Sequence, residues 1–502
     1  MRKSLLGCGL LLVGLLGVAR GGDWPQWGGR DARNMVSPEQ HLADSFEPGR
    51  LTRMGPTTDP ADEPTGAEHP VALDAATSRN VKWSATLGSQ CYGNVVVAGG
   101  RVLLGTNNAH PRDPQVRGQH GVLLCLDERT GKFMWQLAVP KYTDLKMFDT
   151  LDLGICSSPT VEGDKVYLVT NRAEVICVDL AGPAAGQTVE PIWRFDMIAE
   201  LNVRPHDTAN CSVLVHGGYV YVTTSNGVDD SHRTIERPDA PSLIVLDKHT
   251  GQLVAVDDAH IGQRILHGQW SSPSLGVVNG RELLFFGGGD GFCYAFDATP
   301  QMSPTGGVGT LKKVWWFDCN GPERRTKDGQ PIKYPSREGP SEIIATPVLL
   351  SNRLYVAIGQ DPMHGDGPGA LCCIDATGQG DISQSGRIWI NTDMHRSLST
   401  VSATDELLFV ADLSGAVRCL DTATGRAIWT HQMRGHVWGS TLLADGKLYV
   451  GDEYGDFVVL AAGRDEKVIS KTNLGSAIYS TPVAANGVLY VASQTHLYAV
   501  VK

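Results

Sequence analysis

The sequence predicts an all-β fold, an eight-bladed ring closed by an N-terminal strand that completes the last blade. Three observations predict it: a strand unit that recurs along the chain, eight copies of its third strand, and a final copy that lacks its fourth. Glycine is abundant, at 58 of 502 residues. Helix-type apolar periodicity is scarce, which leaves short strands and tight turns as the economical reading.

The elements follow in order within each unit. A strand of small residues opens it, as in SSPTV (157–161), SSPSL (271–275), ATPVL (345–349) and STPVA (480–484). A second strand follows a Gly or Asn turn, as in DKVYLVT (164–170), GKLYVGD (446–452) and GVLYVAS (487–493). The third ends in aspartate: Asp127, Asp179, Asp247, Asp297, Asp375 and Asp421. A turn such as DERTG, DKHTG or DTATG comes next, where Asp and Gly supply unusual backbone angles. The fourth strand carries tryptophan four residues after that glycine, as Trp135 follows Gly131 and Trp429 follows Gly425. Alternation is period two, with Val, Leu, Ile and Tyr enriched. The closest copies lie about 40 residues apart, the length of a four-stranded propeller blade. Third strands fall at 122–127, 174–179, 242–247, 292–297, 370–375, 416–421, 456–461 and 496–501. The last copy stops at 500–502, and NVKWSATLG (80–88), with Trp83, supplies its missing strand. Closure of this kind removes open sheet edges.

Outside the repeat, residues 1–22 read as a secretory signal peptide. Arg2 and Lys3 precede an apolar run from Leu5 to Val18, and small residues stand near a cleavage point. Residues 23–79 read as an irregular N-terminal arm, and 80–502 as the propeller. No later apolar run is long enough for a membrane helix. A net charge of −11 argues against a nucleic-acid partner. The basic stretch 323–337 reads as a solvated loop. Ten of the 11 cysteines remain after export. Cys125, Cys177, Cys373 and Cys419 stand two residues before a third-strand aspartate, so they read as buried packing thiols rather than disulfides.

The unit [SA]-[ST]-P…G-x-[VL]-Y-V…L-x-x-[IVL]-D-x-x-T-G-x-x-x-W resembles the repeats of pyrroloquinoline quinone (PQQ) propellers, over roughly residues 80–502. That family contains PQQ-dependent alcohol dehydrogenases and the non-enzymatic outer-membrane assembly protein BamB. DWPQWGG (23–29) followed by RNMVSPE resembles the start of exported PQQ-like proteins common in planctomycetes. The resemblance implies that Trp83, Trp135, Trp193, Trp315, Trp389 and Trp429 dock each blade on its neighbour. Blade 3 has Ala255 at that position and blade 7 an aliphatic near Ile469.

Propeller connectivity puts the long insertions on one rim: 106–121, 139–154, 204–210, 224–241, 320–342 and 359–369. Loops on a rigid scaffold commonly carry function. Residues entering the innermost strands ring the channel mouth there: Tyr92, Cys156, Asn210, Trp270, Glu342, Arg396, Trp438 and Tyr479. His267 and His436 stand close to Trp270 and Trp438. The expected ligand-binding set is Asn210, His267, Trp270, Glu342, Arg396, His436, Trp438 and Tyr479. The resemblance implies that such a region would hold a quinone on an aromatic face, with Asn and Glu near calcium. No catalytic residue and no metal ligand set is assigned. Asp361, His364 and Asp366 read as a turn-rich loop with solvated charges. The pair Cys372-Cys373 resembles a disulfide found over the quinone in some of these enzymes. Alternation sends the two side chains to opposite faces, which favours packing.

Two functions stand. One is an exported, monomeric propeller binding a protein partner or small ligand on its loop-rich rim. The other is a dehydrogenase oxidising an alcohol or sugar with PQQ and calcium. The first is preferred, because the residues contain no unambiguous cofactor set.

Overall fold

The strand-turn-strand unit becomes an antiparallel meander in the computed structural model, which describes residues 21–53, 71–142, 153–184 and 187–502. Blade 1 comprises Val96–Ala98, Arg101–Asn107, His120–Asp127 and Phe133–Pro140, each paired with the next. Eight sheets of four or five strands repeat this arrangement. In the last, Val483–Ala485, Val488–Ala492 and His496–Val500 are joined by Val81–Thr86, which pairs antiparallel with the final strand.

The D-x-x-T-G turn and the tryptophan are two halves of one joint. Asp127 Oδ1 accepts from the Thr130 amide at 2.9 Å and from its hydroxyl at 2.6 Å. Gly131 follows at φ +68°, and a Cβ there would stand 2.5 Å from the Trp83 ring. Glycine is required twice, for the backbone angle and for the approach of the indole. Trp83 donates its indole N–H to Glu128 O of blade 1, Trp135 to Leu180 O of blade 2, and Trp315 to Ala376 O of blade 5. Trp193, Trp389 and Trp429 do the same to the blades that follow them. Directly across the sheet from Trp135, Trp193, Trp389 and Trp429 lie Cys125, Cys177, Cys373 and Cys419. A small soft side chain leaves the indole room. All ten described cysteines are buried, and Cys372 and Cys373 are free thiols, not a disulfide.

Blades 3 and 7 seal their joints differently. Ala255 takes the tryptophan position in blade 3, opposite Val245, and a loop of blade 4 compensates. Its segment Gly309–Leu311 adds a parallel fifth strand on that edge and buries Leu311. In blade 7 the position belongs to Ser470 rather than to Ile469, because Ser470 pairs with Val459. Ser470 donates to Asp44 O, so the N-terminal arm covers this joint.

The small opening strands line the channel, and their hydroxyls tie the blades together. The Thr346 amide donates to Thr400 Oγ1, that of Thr400 to Ser440 Oγ, and that of Ser440 to Thr481 Oγ1. Thr481 donates to Asn94 Oδ1, and Asn94 to Ser158 Oγ, carrying the belt from blade 8 into blades 1 and 2. Ser158 and Ser212 continue it to Ser212 and Ser272. The [ST] of the repeat is therefore a blade-to-blade clasp.

The arm does more than pack on the ring's outside. Between Trp24 and Ser37 it reaches the inner strands of every blade. Trp24 pairs with Val97 of blade 1, and Pro25 O accepts from Val161 of blade 2. Arg33 donates to Val213 O of blade 3 and Pro273 O of blade 4. Trp27 donates to Thr346 of blade 5, and Asn34 bonds Ala403 of blade 6. Ser37 reaches Leu443 of blade 7 and Ala484 of blade 8. The segment crosses the ring where the inner strands run out and stoppers that end. A separate hairpin, Arg50–Arg53 with Val71–Asp74, follows it. The expected signal peptide lies outside the described residues except for Gly21 and Gly22.

Candidate functional site

A cavity of about 560 Å3 occupies the centre of the ring, lined from Asn94 of blade 1 to Thr481 of blade 8. In blades 6, 7 and 8 the lining residue precedes the arm contact: Thr400 before Ala403, Ser440 before Leu443, Thr481 before Ala484. The arm is thus the floor, with Trp27 facing the cavity, and the insertion-bearing rim is its mouth. This volume falls in the range of small-molecule sites.

The two sides of the mouth differ. Blades 7, 8 and 1 supply Trp438, Tyr479 and Tyr92. Tyr92 and Tyr479 stack at 5.1 Å with 10° between planes, and Trp438 lies 4.6 Å from Tyr479. Blades 3 to 5 supply Asn210, Trp270, Asp207 and Asp361. Burial, against the pull of His206, raises the Asp207 carboxyl above the usual carboxylate range. Asn210 Oδ1 and Trp438 Nε1 are buried without a hydrogen-bond partner among the described residues.

Behind Trp270 five insertions converge. His206 comes from the blade 2–3 connection, His232 from the loop inside blade 3, and His267 from the blade 3–4 connection. Tyr334 and Glu342 come from the basic loop, and Asp361 and His364 from the loop inside blade 5. The His206 ring centroid lies 4.2 Å from that of His267 and 4.8 Å from that of His232. One nitrogen from each of the three lies within 4.8 Å of the others. His206 Nδ1 is 2.9 Å from Val228 O and donates to it, which leaves Nε2 as the lone-pair nitrogen. His267 is 1% exposed, and neither ring nitrogen has a hydrogen-bond partner. Glu342 is fully buried: Oε1 accepts from Tyr334 Oη and the Asp361 amide, while Oε2 has no partner.

His267 Nδ1 and Glu342 Oε1 approach to 3.8 Å, yet they are not an ion pair. Burial, then His206, pushes the His267 imidazole down to about 3. Burial pushes the Glu342 carboxyl up to about 8. Both shifts favour the neutral form. A neutral imidazole with a free lone pair, such as His267, has the chemistry of a metal ligand or of a proton acceptor.

With this geometry in place, the family described as outer membrane protein assembly factor BamB matches residues 64–182, 116–299 and 413–501. The chain belongs to this family of PQQ-repeat propellers. No curated protein matches the sequence. Among solved structures, BamB from Moraxella catarrhalis is 16% identical with TM-score 0.50, over 84% of this chain and 97% of that one. A europium-containing methanol dehydrogenase is 13% identical with TM-score 0.49, over 96% and 99% of the two chains. The quinohemoprotein alcohol dehydrogenase of Comamonas testosteroni is 15% identical with TM-score 0.48, over 96% and 81%. These likenesses concern the fold alone.

Within this PQQ-repeat propeller the expected site residues divide. Asn210, Trp270, Trp438 and Tyr479 line the cavity, with Tyr92 and Cys156. His267 and Glu342 stand behind it in the histidine cluster. Arg396 is 1% exposed and donates to the carbonyls of His364, Gly365, Ser336 and Arg337, so it fastens two insertions together and does not line the cavity. His436 pairs with Glu453 at 3.3 Å and likewise does not line it. The basic stretch is more than solvated loop, since Tyr334 lies over His267 at 5.6 Å. Asp361 and His364 face inward, whereas Asp366 is exposed and lies 3.6 Å from His395. Sequence reasoning missed His206, His232, Tyr334 and Asp207. The signal for the two histidines was each one's place in an insertion on the same rim.

Proposed function

We propose that this protein is an exported, monomeric, non-catalytic PQQ-repeat propeller that holds a small ligand in its central cavity. The family's description as an assembly factor supports a binding role. No helix of the described residues is long and apolar enough to cross a membrane. The observation that carries the reading is the asymmetry of the mouth, with the stacked Tyr92 and Tyr479 and the tilted Trp438 facing Asp207 and Asp361. A flat aromatic body with a positive charge complements both sides.

The quinone fits the described residues poorly. PQQ carries three carboxylates, whereas the described lining has two aspartates and no lysine or arginine. Arg396 is committed to backbone carbonyls. Glu342, the glutamate that the resemblance would place near calcium, is shut under Tyr334.

The test is calorimetric titration at neutral pH of protein lacking residues 1–22. Tryptamine should bind saturably, indole at least about tenfold more weakly, and Trp438→Ala should abolish both. Saturable binding of PQQ with calcium, accompanied by dye reduction with an alcohol or sugar, would overturn the reading in favour of the dehydrogenase.

A further inference from the structure

We infer that His206, His232 and His267 form a binding site for a divalent transition-metal ion of the zinc class. The inference is independent of what the central cavity holds.

Three imidazoles from three separate insertions present nitrogens within 4.8 Å of one another. In a tetrahedral set with metal–nitrogen bonds of about 2.1 Å, nitrogens stand about 3.4 Å apart, so modest ring rotations complete the geometry. His206 already has the support a ligand histidine needs, because Nδ1–H donates to Val228 O and leaves Nε2 as the lone-pair nitrogen. His267 is the independent sign. It is 1% exposed, yet Nδ1, Nε2 and the nearby Nδ1 of His232 have no hydrogen-bond partner. Buried polar atoms are nearly always satisfied, and leaving three unmet in one cluster is costly. A core histidine kept for packing would find a carbonyl, as His206 does. A borderline cation would take one nitrogen of His267 together with Nδ1 of His232, while the other His267 nitrogen keeps its proton.

Ligand type restricts the ion. Imidazole nitrogen suits zinc, copper, iron and nickel, whereas calcium and magnesium prefer oxygen. Three protein nitrogens leave a coordination position open. Asp361, which lines the cavity, is the carboxylate at hand to approach it. The ion would also cross-link the insertions over blades 3 and 4, giving their convergence a physical cause.

The experiment uses the full chain without residues 1–22, stripped with a chelator and reloaded with Zn2+ or Co2+. One equivalent of Zn2+ per chain should remain after gel filtration. Bound Co2+ should show the intense visible absorption of a low-coordinate nitrogen site. His267→Ala should weaken Zn2+ binding by about 100-fold, and His232→Gln, at a partly exposed loop position, by at least about tenfold. His249→Ala, on the exposed turn of blade 3, should leave stoichiometry and affinity unchanged. Circular dichroism checks that each variant is folded. Wild-type protein that retains no Zn2+ or Co2+ overturns the inference. So does a folded His267→Ala or His232→Gln protein that binds as tightly as the wild type.

Discussion

The two ends of the channel each bury a strongly polar side chain, and they treat it in opposite ways. At the stoppered end Arg33 is fully buried, and its guanidinium donates to Val213 O, Pro273 O, Trp27 O and Gln26 Oε1. Burial lowers its pKa to about 10, still well above neutrality, so it remains a cation clasped by oxygens. At the rim end His267 is as deeply buried, and its ring makes no hydrogen bond to the described residues. A satisfied polar group is architecture. An unsatisfied one, in a fold otherwise so complete, points outward to a ligand.

Substitution at these two sites tests the contrast most sharply. Arg33→Met should cost roughly 3–5 kcal/mol, because several buried carbonyls lose their donor and the arm loses its grip on blades 3 and 4. The residue also sits at φ +59°, a strained angle that its bonds maintain. His267→Leu in chelator-treated protein should change stability by no more than about 1 kcal/mol, since it removes polar atoms with no bonds to lose. Urea denaturation of the two variants, side by side, decides the matter. Equal losses would erase the distinction between the ends.

The tryptophans give a second, comparable contrast. Trp315 is fully buried with its N–H on Ala376 O, and Trp315→Ala should cost roughly 3–4 kcal/mol. Trp438 is partly exposed and its Nε1 is unpartnered. Trp438→Ala should therefore cost about 1 kcal/mol or less while abolishing tryptamine binding. A Trp438 variant as unstable as the Trp315 variant would make that aromatic wall structural.

Gly131→Ala lies on the joint itself. A methyl group there meets the Trp83 ring at φ +68°, and the expected cost is roughly 2 kcal/mol, read as a lowered melting temperature. The position was legible beforehand, because D-x-x-T-G-x-x-x-W states its geometry in nine residues. Blade number, the docking tryptophans and the cavity-lining residues of the inner strands were legible for the same reason. Each is local, or repeats at a constant offset. The histidine cluster was not, since its members are up to 61 residues apart, from His206 to His267, and belong to loops with no shared pattern. Arg396 misled by its chemistry. It stands at a channel-entering position, yet the loops around it offer carbonyls closer than the cavity. The role of Arg33 was hidden too, because nothing in RDARNM marks an arginine that will be drawn under eight blades.

The smallest effect concerns where the arm stops being neutral. From Trp24 to Ser37 it is held chiefly by bonds that do not titrate near neutrality, but at 42–47 Lys447 takes over. Its ammonium donates to Leu42 O at 2.8 Å and pairs with Asp445 at 2.7 Å and Asp44 at 2.8 Å. The hydrogen bond from Lys447 holds the Asp44 carboxyl below its usual range. Burial pushes Asp445 upward, but Lys447 and backbone amides outweigh it, and its carboxyl is lowered as well. Burial pulls Lys447 down, yet the two carboxylates raise it overall. Depressed carboxyls contribute stability above about pH 4 and lose it as pH falls through their folded values; the raised ammonium contributes below about pH 10 and loses it above. Asp44 is half exposed, so the sum should be no more than about 1 kcal/mol. Hydrogen exchange should therefore accelerate at Leu42, whose amide donates to Asp445, below pH 4 while Trp24 and Arg33 stay protected. Lys447→Met should remove that pH dependence, and loss of protection along the whole arm at once would show that it detaches as a single unit.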